Sequence, residues 1–512
     1  MYQRKGGLYL NPGEQLVAPG ATQHIKYICG KYIATDSGMG IRDEKLGGNY
    51  FPAKTEYDGK LDLILLTHHH LDHSGNLPAL VRDNPQAKVI MTRPTAMGAE
   101  IMLRDSLKIH ETEQKNVRRA GGNPVPFVYS ESDIHEMFKR MTPIIKPGWY
   151  EIWPGWLLGV YSAGHTRGAA MYFIITPEDT AYFITGDVCS HDQPVVKGVM
   201  LPPREFFGNR LDGKRIVMIT ETTYGDRVMS KSFDELWTEF GEFAKKKIEE
   251  RIQEFYPLFS DRAPNVVKKL VDLGIHPHVD GMARDFLMLH SKKREAWFND
   301  NITVKGDHSY AWCDQDIKLE IDEMIEAKKV ILYQKLNRYN SQDEHRKEAS
   351  HRLATAAGNC CGINYSPMAS SSAMMDKGMS VRHAEQILPN RKGMVISTGY
   401  RFPNTVGEKI HHMKKGDTVK LTTWDPVNRR EVEKSVPVSC EVAHFPLSAH
   451  DTGDKLLERV RLTHERFHPS EMTVIAHHGD AENVAGFMRR VEALNLNNTR
   501  VLHGKHMQEI QL

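Results

Sequence analysis

Residues 67–73 read Thr-His-His-His-Leu-Asp-His and follow the apolar run Leu61-Asp-Leu-Ile-Leu-Leu66. They contain the pattern H-x-H-x-D-H. Because His68 and His70 are two residues apart, their side chains point the same way in a chain that leaves a strand in extended form. Imidazoles and carboxylates are the ligands that zinc prefers. Their density here predicts a metal site at the end of a buried strand and argues against a solvated polar loop.

The same arrangement, a short apolar run that ends in an acid or a histidine, recurs along the chain. The runs end at Asp36, His68, His165, Asp187, Glu221 and His478. Such runs predict buried strands, and polar groups at the ends of neighbouring strands converge at one edge of a sheet. One short motif does not fill the ligand shells of two cations. We therefore expect His165 and Asp187 to add ligands, and a carboxylate can bridge two cations.

The composition is that of a globular protein. With 512 residues, the chain is long enough for two to four domains at roughly 150 residues per domain. Its 40% hydrophobic and 26% charged residues exclude a disordered chain, a collagen and a coiled coil. Six scattered cysteines without a CxxC pair, and an N-terminus without an apolar leader, predict a cytoplasmic protein with reduced thiols. We expect no membrane span, and the net charge of +2 gives no strong global field for nucleic acid.

The character of the sequence changes between Gly225 and about Phe445. Ser232-Phe-Asp-Glu235 is a capping box, and the apolar residues that follow it have the 3.6-residue period of a helix. Five of the six recurring run ends lie before this segment and one lies after it. We therefore predict one α/β domain, formed by residues 1–225 and 446–512, that is interrupted by an inserted α/β domain of residues 226–445.

The ordered set of motifs resembles the metallo-β-lactamase fold, and the later segments resemble its β-CASP nuclease branch. Residues 219–227, Ile-Thr-Glu-Thr-Thr-Tyr-Gly-Asp-Arg, are similar to the motif A segment, residues 446–451 to motif B and residues 476–480 to motif C. Residues 369–375 and 397–407 resemble two further β-CASP segments, in which Arg401 and Asn404 depart from the usual Gln and Gly. The resemblance covers nearly the whole chain. It implies a metallo-β-lactamase αββα sandwich with an inserted α/β β-CASP domain.

The resemblance also implies a role for each matched residue. The first metal takes His68, His70 and His165, the second takes Asp72, His73 and His478, and Asp187 bridges the two. The residues with catalytic roles are Asp36, Asp72, Asp187, Glu221 and His450. His450 is the candidate general acid, with Glu221 keeping it charged and aimed, and Asp36 orients a ligand imidazole or the nucleophile. His69 and His477 adjoin ligands but should point the other way, so we expect them to be structural.

Residues that contact the substrate are harder to predict. Ser370, Ser371, Ser372, Gly399, Tyr400 and Thr405 can offer hydroxyls and backbone amides to phosphates, but polar loops between two domains explain them equally well. The basic and aromatic stretch Lys328–Tyr339 can grip a single strand through charge and stacking. A solvated helix face is the interpretation that we favour for that stretch.

The resemblance implies a nuclease that uses two zinc ions, with manganese as the other candidate, to hydrolyse single-stranded RNA. The histidine at motif C, His478, favours RNA over DNA by resemblance alone. A DNA nuclease, a hydrolase of small esters or thioesters and a non-catalytic scaffold stay open as alternatives. A homodimer or an RNA-processing complex is compatible with the sequence, which leaves endonuclease and 5′-exonuclease modes undecided.

Overall fold

The fold is described by a computed structural model that covers residues 7–11, 22–43, 48–52, 59–119, 121–291, 315–333, 347–348, 351–352, 366–376, 378–425, 430–504 and 508–511. Its strands are, in chain order, β1 (Gly7–Asn11), β2 (Gln23–Ile28), β3 (Lys31–Thr35), β4 (Gly40–Asp43), β5 (Gly48–Tyr50), β6 (Leu63–Leu65), β7 (Lys88–Thr92), β8 (Met141–Ile144), β9 (Gly148–Trp153), β10 (Trp156–Ser162), β11 (Ala170–Ile175), β12 (Thr180–Ile184), β13 (Arg215–Glu221), β14 (Gln253–Pro257), β15 (His278–Asp280), β16 (Ile331–Leu332), β17 (Met368–Ser370), β18 (Gly393–Thr398), β19 (Thr418–Asp425), β20 (Arg430–Pro437), β21 (Glu441–Phe445), β22 (Glu471–His477), β23 (Thr499–His503) and β24 (Gln508–Gln511).

The helices of the same residues complete the architecture. They are α1 (Leu71–Ser74), α2 (Leu77–Asp83), α3 (Arg93–Arg119), α4 (Glu131–Arg140), α5 (Arg204–Phe207), α6 (Phe233–Glu249), α7 (Ala263–Asp272), α8 (Gly281–Met288), α9 (Gln315–Glu326), α10 (Met379–Ile387), α11 (Val406–Lys409), α12 (Gly453–Phe467) and α13 (Ala481–Ala493), with a 3₁₀ turn at Ile410–His412. Among the described residues, no helix combines the length and the apolar character that crossing a membrane needs.

Two large sheets pack face to face. The first sheet has the order β24-β1-β2-β3-β6-β7-β8, and the second has the order β23-β22-β13-β12-β11-β10-β9. Apolar side chains from both sheets, such as Leu63, Tyr172 and Val217, form the core between them. Helices α2, α3 and α4 pack outside the first sheet, and α12 and α13 outside the second. This is the αββα sandwich that the sequence predicted.

The predicted strands are confirmed, and their ends meet at one edge. Asp36 follows β3 and His68 lies three residues after β6, which pairs with β3 in parallel. In the second sheet, β12, β13 and β22 are parallel. β12 ends three residues before Asp187, β13 ends at Glu221, and β22 ends one residue before His478. The two sheets therefore bring the polar run ends together at the same edge of the sandwich.

The chain between β13 and β22 builds a third sheet of parallel strands, with the order β16-β15-β17-β14-β18-β21. It is entered through α6, whose predicted capping box is confirmed: Ser232 Oγ accepts from the Glu235 backbone N–H at 3.2 Å. The buried residues of α6 include Trp237 and Phe240. The predicted domain boundaries, 225/226 and 445/446, fall after β13 and β21 and stay a prediction. Of the stretch 328–339, residues 334–339 lie outside the described residues.

Candidate metal centre

Three imidazoles form the first ligand group, which consists of His68, His70 and His165. The His68 Nε2 atom lies 3.0 Å from His70 Nδ1, which lies 3.3 Å from His165 Nε2. His68 and His165 are fully buried. Burial lowers the pKa of both rings well below the usual histidine value, so they are neutral. A neutral imidazole offers a lone pair, which is the form that binds a cation.

The second ligand group consists of Asp72, His73 and His478. The Nε2 atoms of His73 and His478 are 3.1 Å apart, and His478 Nε2 is 3.3 Å from Asp72 Oδ2. Donor atoms of all three side chains lie within 4.8 Å of one another. Asp72 and His73 lie in the short helix α1. His478 follows β22 and is 405 residues further along the chain than His73. The two ends of the chain thus build one site.

Asp187 lies between the two ligand groups. Its Oδ2 atom is 3.5 Å from His68 Nε2 and 3.7 Å from His165 Nε2, both in the first group. Its Oδ1 atom is 3.4 Å from His73 Nε2 and 3.4 Å from His478 Nδ1, both in the second group. Burial alone raises the pKa of Asp187, but the surrounding imidazoles hold it well below the usual carboxyl range. One ionised oxygen therefore faces each group.

The backbone around these ligands has unusual conformations that aim the side chains. Gly164 and Gly186 precede ligands His165 and Asp187 and have φ of +73° and +57°. A Cβ on Gly164 would lie 2.2 Å from the Cys189 carbonyl oxygen, so glycine is required there. His478 itself has φ of +55°, a conformation that costs a non-glycine residue energy and is typical of functional sites.

Asp36 supports the second ligand group from behind. Its carboxylate accepts hydrogen bonds from the Thr67 backbone N–H at 2.7 Å and from the Thr67 hydroxyl at 2.9 Å. Its Oδ2 atom also lies 2.8 Å from His73 Nδ1. Since Nδ1 then carries the proton, Nε2 of His73 is left to face the site. Of the two roles that the sequence allowed Asp36, this contact favours orientation of a ligand imidazole.

His450 and Glu221 form a pair beside the first ligand group. His450 Nδ1 donates to the Glu221 carboxylate at 3.0–3.1 Å, and its ring centroid is 4.5 Å from that of His165. Burial lowers the pKa of His450, but the Glu221 charge more than offsets this and raises it to about 9. Glu221 is fully buried and is held by the Val188 backbone N–H at 2.8 Å. The pair is therefore a protonated imidazole in a fixed orientation.

The predicted substrate residues lie in different surroundings. The Ser370 hydroxyl is buried and donates to Asp280. Ser371 Oγ accepts from the Met282 N–H, and Ser372 Oγ accepts from the Met374 N–H. Thr405 caps α11 by accepting from the Glu408 N–H.

Two of these predicted residues lie close to the motif segments. Gly399 has φ of +77° and donates its N–H to the Phe445 carbonyl. Tyr400 is 44% exposed, and burial, with the charges of Tyr224 and Asp480 nearby, raises its pKa. The serine hydroxyls have partners within the protein, whereas the Tyr400 ring is partly exposed and lies 5.0 Å from the Phe402 ring.

The two histidines next to ligands turn away from the ligand groups. His477 Nδ1 lies 3.2 Å from His24 Nε2, between the sheets. The His69 ring packs 5.2 Å from the Phe286 ring and against Gly98.

Sequence reasoning missed three supporting groups. Asp261 lies 2.9 Å from His70, Lys26 is buried behind Asp36, and Asp451 forms a buried ion pair with Arg459 at 2.5 Å. Asp451 also accepts from the Ser190 N–H at 2.7 Å, which holds the loop that carries His450. The position of Asp451 directly after His450, in motif B, is the sequence signal that could have identified it. The other two have no local pattern.

The donor set fits divalent cations. The imidazole nitrogens of the first group face one another. Two nitrogens 3.0 Å apart can share at most one proton, so at least one lone pair points into the group. Asp187 Oδ1 is buried and accepts no hydrogen bond from any residue that the structure describes. A buried carboxylate oxygen without a donor is costly unless a cation sits beside it. Imidazole and carboxylate donors are those that zinc and manganese bind.

Comparison with known proteins agrees with this site. Residues 36–154 match the metallo-β-lactamase superfamily. The chain is 24% identical to the transcription termination factor FttA of Methanocaldococcus jannaschii, covering 92% of this chain and 66% of that protein. It is 22% identical to the endoribonuclease YSH1 of Candida albicans, covering 90% of this chain and 48% of that protein. It is 23% identical to the probable RNase MJ4 of M. jannaschii, covering 96% of each protein. The chain thus spans about half to two thirds of the length of the first two.

The fold and the two ligand groups agree with the match of residues 36–154 to the metallo-β-lactamase superfamily. The similarity to these relatives, which are β-CASP nucleases, covers 90–96% of the chain, so it extends beyond residues 36–154 through the third sheet and the final strands. The resemblance seen in the motifs is confirmed.

Proposed function

We propose that the protein is a metal-dependent nuclease that hydrolyses phosphodiester bonds of single-stranded RNA. One observation carries the proposal: two ligand groups share Asp187, and a His450–Glu221 pair stands beside them. This arrangement offers two cations and a proton donor to a single phosphodiester. Hydrolysis of an ester alone does not require the separate proton donor.

His68, His70 and His165 would hold one cation, Asp72, His73 and His478 would hold the other, and Asp187 would face both. Two zinc or manganese ions, when bound, lower the pKa of water toward neutrality and neutralise charge on the phosphate oxygens. The protein fixes the donors: Asp36 holds the His73 ring at 2.8 Å, and the glycine turns aim His165 and Asp187.

His450 supplies the proton that the leaving oxygen needs. Its Nδ1 is turned to Glu221, so its Nε2 carries the proton that it can donate. Glu221 does not reach the substrate in this role. It keeps the imidazole charged and prevents the ring from turning.

RNA is the favoured substrate on the strength of the relatives. Two of the three are described as ribonucleases, and this chain matches 96% of one of them. The motif C histidine, His478, is present in the second ligand group. The exposed Tyr400 ring, near Tyr224 and Asp480, is a surface on which a base of a single strand can stack. DNA is the other outcome of the test.

The experiment uses the purified full chain with RNA and DNA oligonucleotides of the same sequence, labelled at the 5′ or the 3′ end. We expect RNA to be cut faster in direct competition, and a chelator to abolish cutting that added zinc or manganese restores. Equal or faster cleavage of DNA would overturn the substrate while leaving a metal-dependent nuclease. The two labels separate internal cuts from stepwise removal of 5′ nucleotides.

A relative of this chain is an Integrator complex subunit, from Danio rerio, at 24% identity. We infer that the protein works in an RNA-processing assembly in the cytoplasm, where the free thiols of the described cysteines, Cys29, Cys189 and Cys440, stay reduced. Co-purification from the native cell, followed by mass spectrometry, tests the assembly. Size-exclusion chromatography with light scattering on the pure chain tests a homodimer.

A further inference from the structure

We propose that Asp261, on the inserted domain, is a positioning residue that holds the His70 ring in the first ligand group. The inference rests on the proposed metal centre and adds to it a contact across the cleft. Asp261 lies between β14 and α7 of the inserted domain, whereas His70 follows β6 of the sandwich. The metal site is then completed by the domain that covers it.

The two nitrogens of the His70 ring face different partners. Nδ1 lies 3.0 Å from His68 Nε2, in the first ligand group, and Nε2 lies 2.9 Å from Asp261 Oδ2. The 2.9 Å contact is an ion-pair distance and not an aligned hydrogen bond, since Oδ2 has no hydrogen-bond partner among the described residues. The carboxylate charge beside Nε2 favours the proton on that nitrogen, which leaves Nδ1 with its lone pair directed at the group. A carboxylate on the far nitrogen of a ligating histidine fixes the tautomer and increases the basicity of the ligand.

Arg262 holds Asp261 in place and reaches a second ligand. Its Nη2 atom lies 3.1 Å from Asp261 Oδ2. Its Nη1 atom donates to the His165 carbonyl oxygen at 3.3 Å and to Gln193 Oε1 at 2.9 Å. Gln193 in turn donates to the His165 carbonyl at 3.1 Å. Neighbouring residues of the inserted domain thus contact the imidazole of His70 and the backbone carbonyl of His165.

A rival interpretation is a third cation site. Donor atoms of His69, His70 and Asp261 lie within 4.8 Å of one another, and neither the ring nitrogens of His69 nor Asp261 Oδ2 have a hydrogen-bond partner among the described residues. However, the Arg262 guanidinium is already 3.1 Å from the one carboxylate of this set. A cation there would be repelled by a group that stays charged at all accessible pH. The geometry favours positioning, and the rival predicts a different metal count.

The test is a zinc titration of the full-length chain against a competing chelator, with elemental analysis of the dialysed protein. Asp261→Asn keeps the shape of the side chain and one acceptor oxygen but removes its charge. We expect about 10–100-fold weaker binding of one zinc equivalent and unchanged binding of the other, as is typical for loss of such a partner. Asp261→Ala should weaken that same equivalent further. Asp272→Asn, a change of an exposed aspartate of α7, is the matched control and should bind like the wild type.

Two further measurements separate positioning from a general structural role. The metal-free Asp261→Asn protein should unfold at the temperature of the metal-free wild type. In a His165→Ala background, which already lacks the first group, Asp261→Asn should change zinc affinity no further. A wild type that binds no zinc would overturn both the metal centre and this inference. If the wild type binds zinc and Asp261→Asn binds it with the same affinity, then this inference alone is overturned. The inference is also overturned if the wild type holds three zinc equivalents and Asp261→Asn holds two.

Discussion

The two ligand groups of the candidate metal centre are supported in different ways. The second group is held from within the sandwich, where Asp36 contacts His73 at 2.8 Å and the Thr223 hydroxyl lies 3.2 Å from His478. The first group has support from the sandwich, where His165 Nδ1 lies 2.8 Å from the Ala449 carbonyl oxygen, and in addition from Asp261 and Arg262 of the inserted domain. The second group is therefore supported by the sandwich alone, whereas the first group also has support from the insert. The predictions below test this asymmetry.

The largest effect is expected at the residue that both groups share. Asp187→Ala removes the oxygens that face His68 and His165 on one side and His73 and His478 on the other. We expect the metal content to fall from about two equivalents toward zero, with loss of measurable cleavage, because both cations lose a ligand. Elemental analysis and an RNA cleavage assay on the same preparation measure this.

The control for that experiment is Asp192→Ala, an exposed aspartate that pairs with Lys197. It should keep both the metal and the activity. If Asp187→Ala loses one equivalent and retains the other, then the two groups are independent and Asp187 is not a bridge.

The next largest effect is expected at the proton donor, His450, which is not a ligand in either group. His450→Ala should keep near-normal metal content and lose cleavage by about 10²–10⁴-fold, the contribution of a general acid. Glu221→Gln should show a milder loss of the same kind, because His450 keeps a neutral partner. His412→Ala, an exposed histidine of the inserted domain, is the control. Loss of metal in His450→Ala would make His450 a ligand instead.

Much of this site could be predicted from the sequence because its chemistry restricts residue type. The ligands of such cations are imidazoles and carboxylates, and the parallel strands that precede Asp187 and His478 or end at Glu221 are visible as apolar runs. Asp261 could not be predicted, since its partner His70 lies in another domain and one carboxylate in a loop has no periodicity. For Ser370, sequence could not tell a hydroxyl that binds a phosphate from one that is bonded to Asp280.

A moderate effect is expected when the support of the second group is weakened. Asp36→Asn keeps the acceptor for the Thr67 N–H but loses the charge opposite His73. We expect about 10–100-fold weaker binding of one metal equivalent, with the Asp261-dependent equivalent unchanged. Zinc titration of Asp36→Asn, Asp261→Asn and the double variant measures this. The two effects should add, because they act on different ligand groups.

The matched control is Asp62→Asn, an aspartate of the same sheet that bonds Lys31 at 2.8 Å and lies away from the ligands. Wild-type affinity is expected there. If Asp36→Asn and Asp261→Asn weaken the same equivalent, then the division into an internally and an externally supported half is wrong.

The smallest effect is expected from a lysine behind the second group. Lys26 is fully buried, and its Nζ donates to Thr35 Oγ1 at 2.7 Å, next to Asp36 in the chain. Burial lowers its pKa from 10.5 to about 7, against the opposing pull of Asp36. Between these two values the unfolded chain binds a proton that the folded chain has released. Stability should therefore rise with pH, by at most about 1.4 kcal/mol per pH unit for one proton.

Lys26→Met should remove this contribution, so that the difference in unfolding temperature between wild type and variant changes steadily from pH 7 to pH 9. Metal-free protein is required, because zinc binding has a pH dependence of its own. Lys31→Met, on the neighbouring strand and one third exposed, is the control and should leave the wild-type slope intact. Parallel pH profiles for wild type and Lys26→Met would mean that Lys26 keeps its proton when folded. The second group would then have a permanent positive charge behind its supporting carboxylate, as the first group has in Arg262. The two groups would no longer differ in this respect.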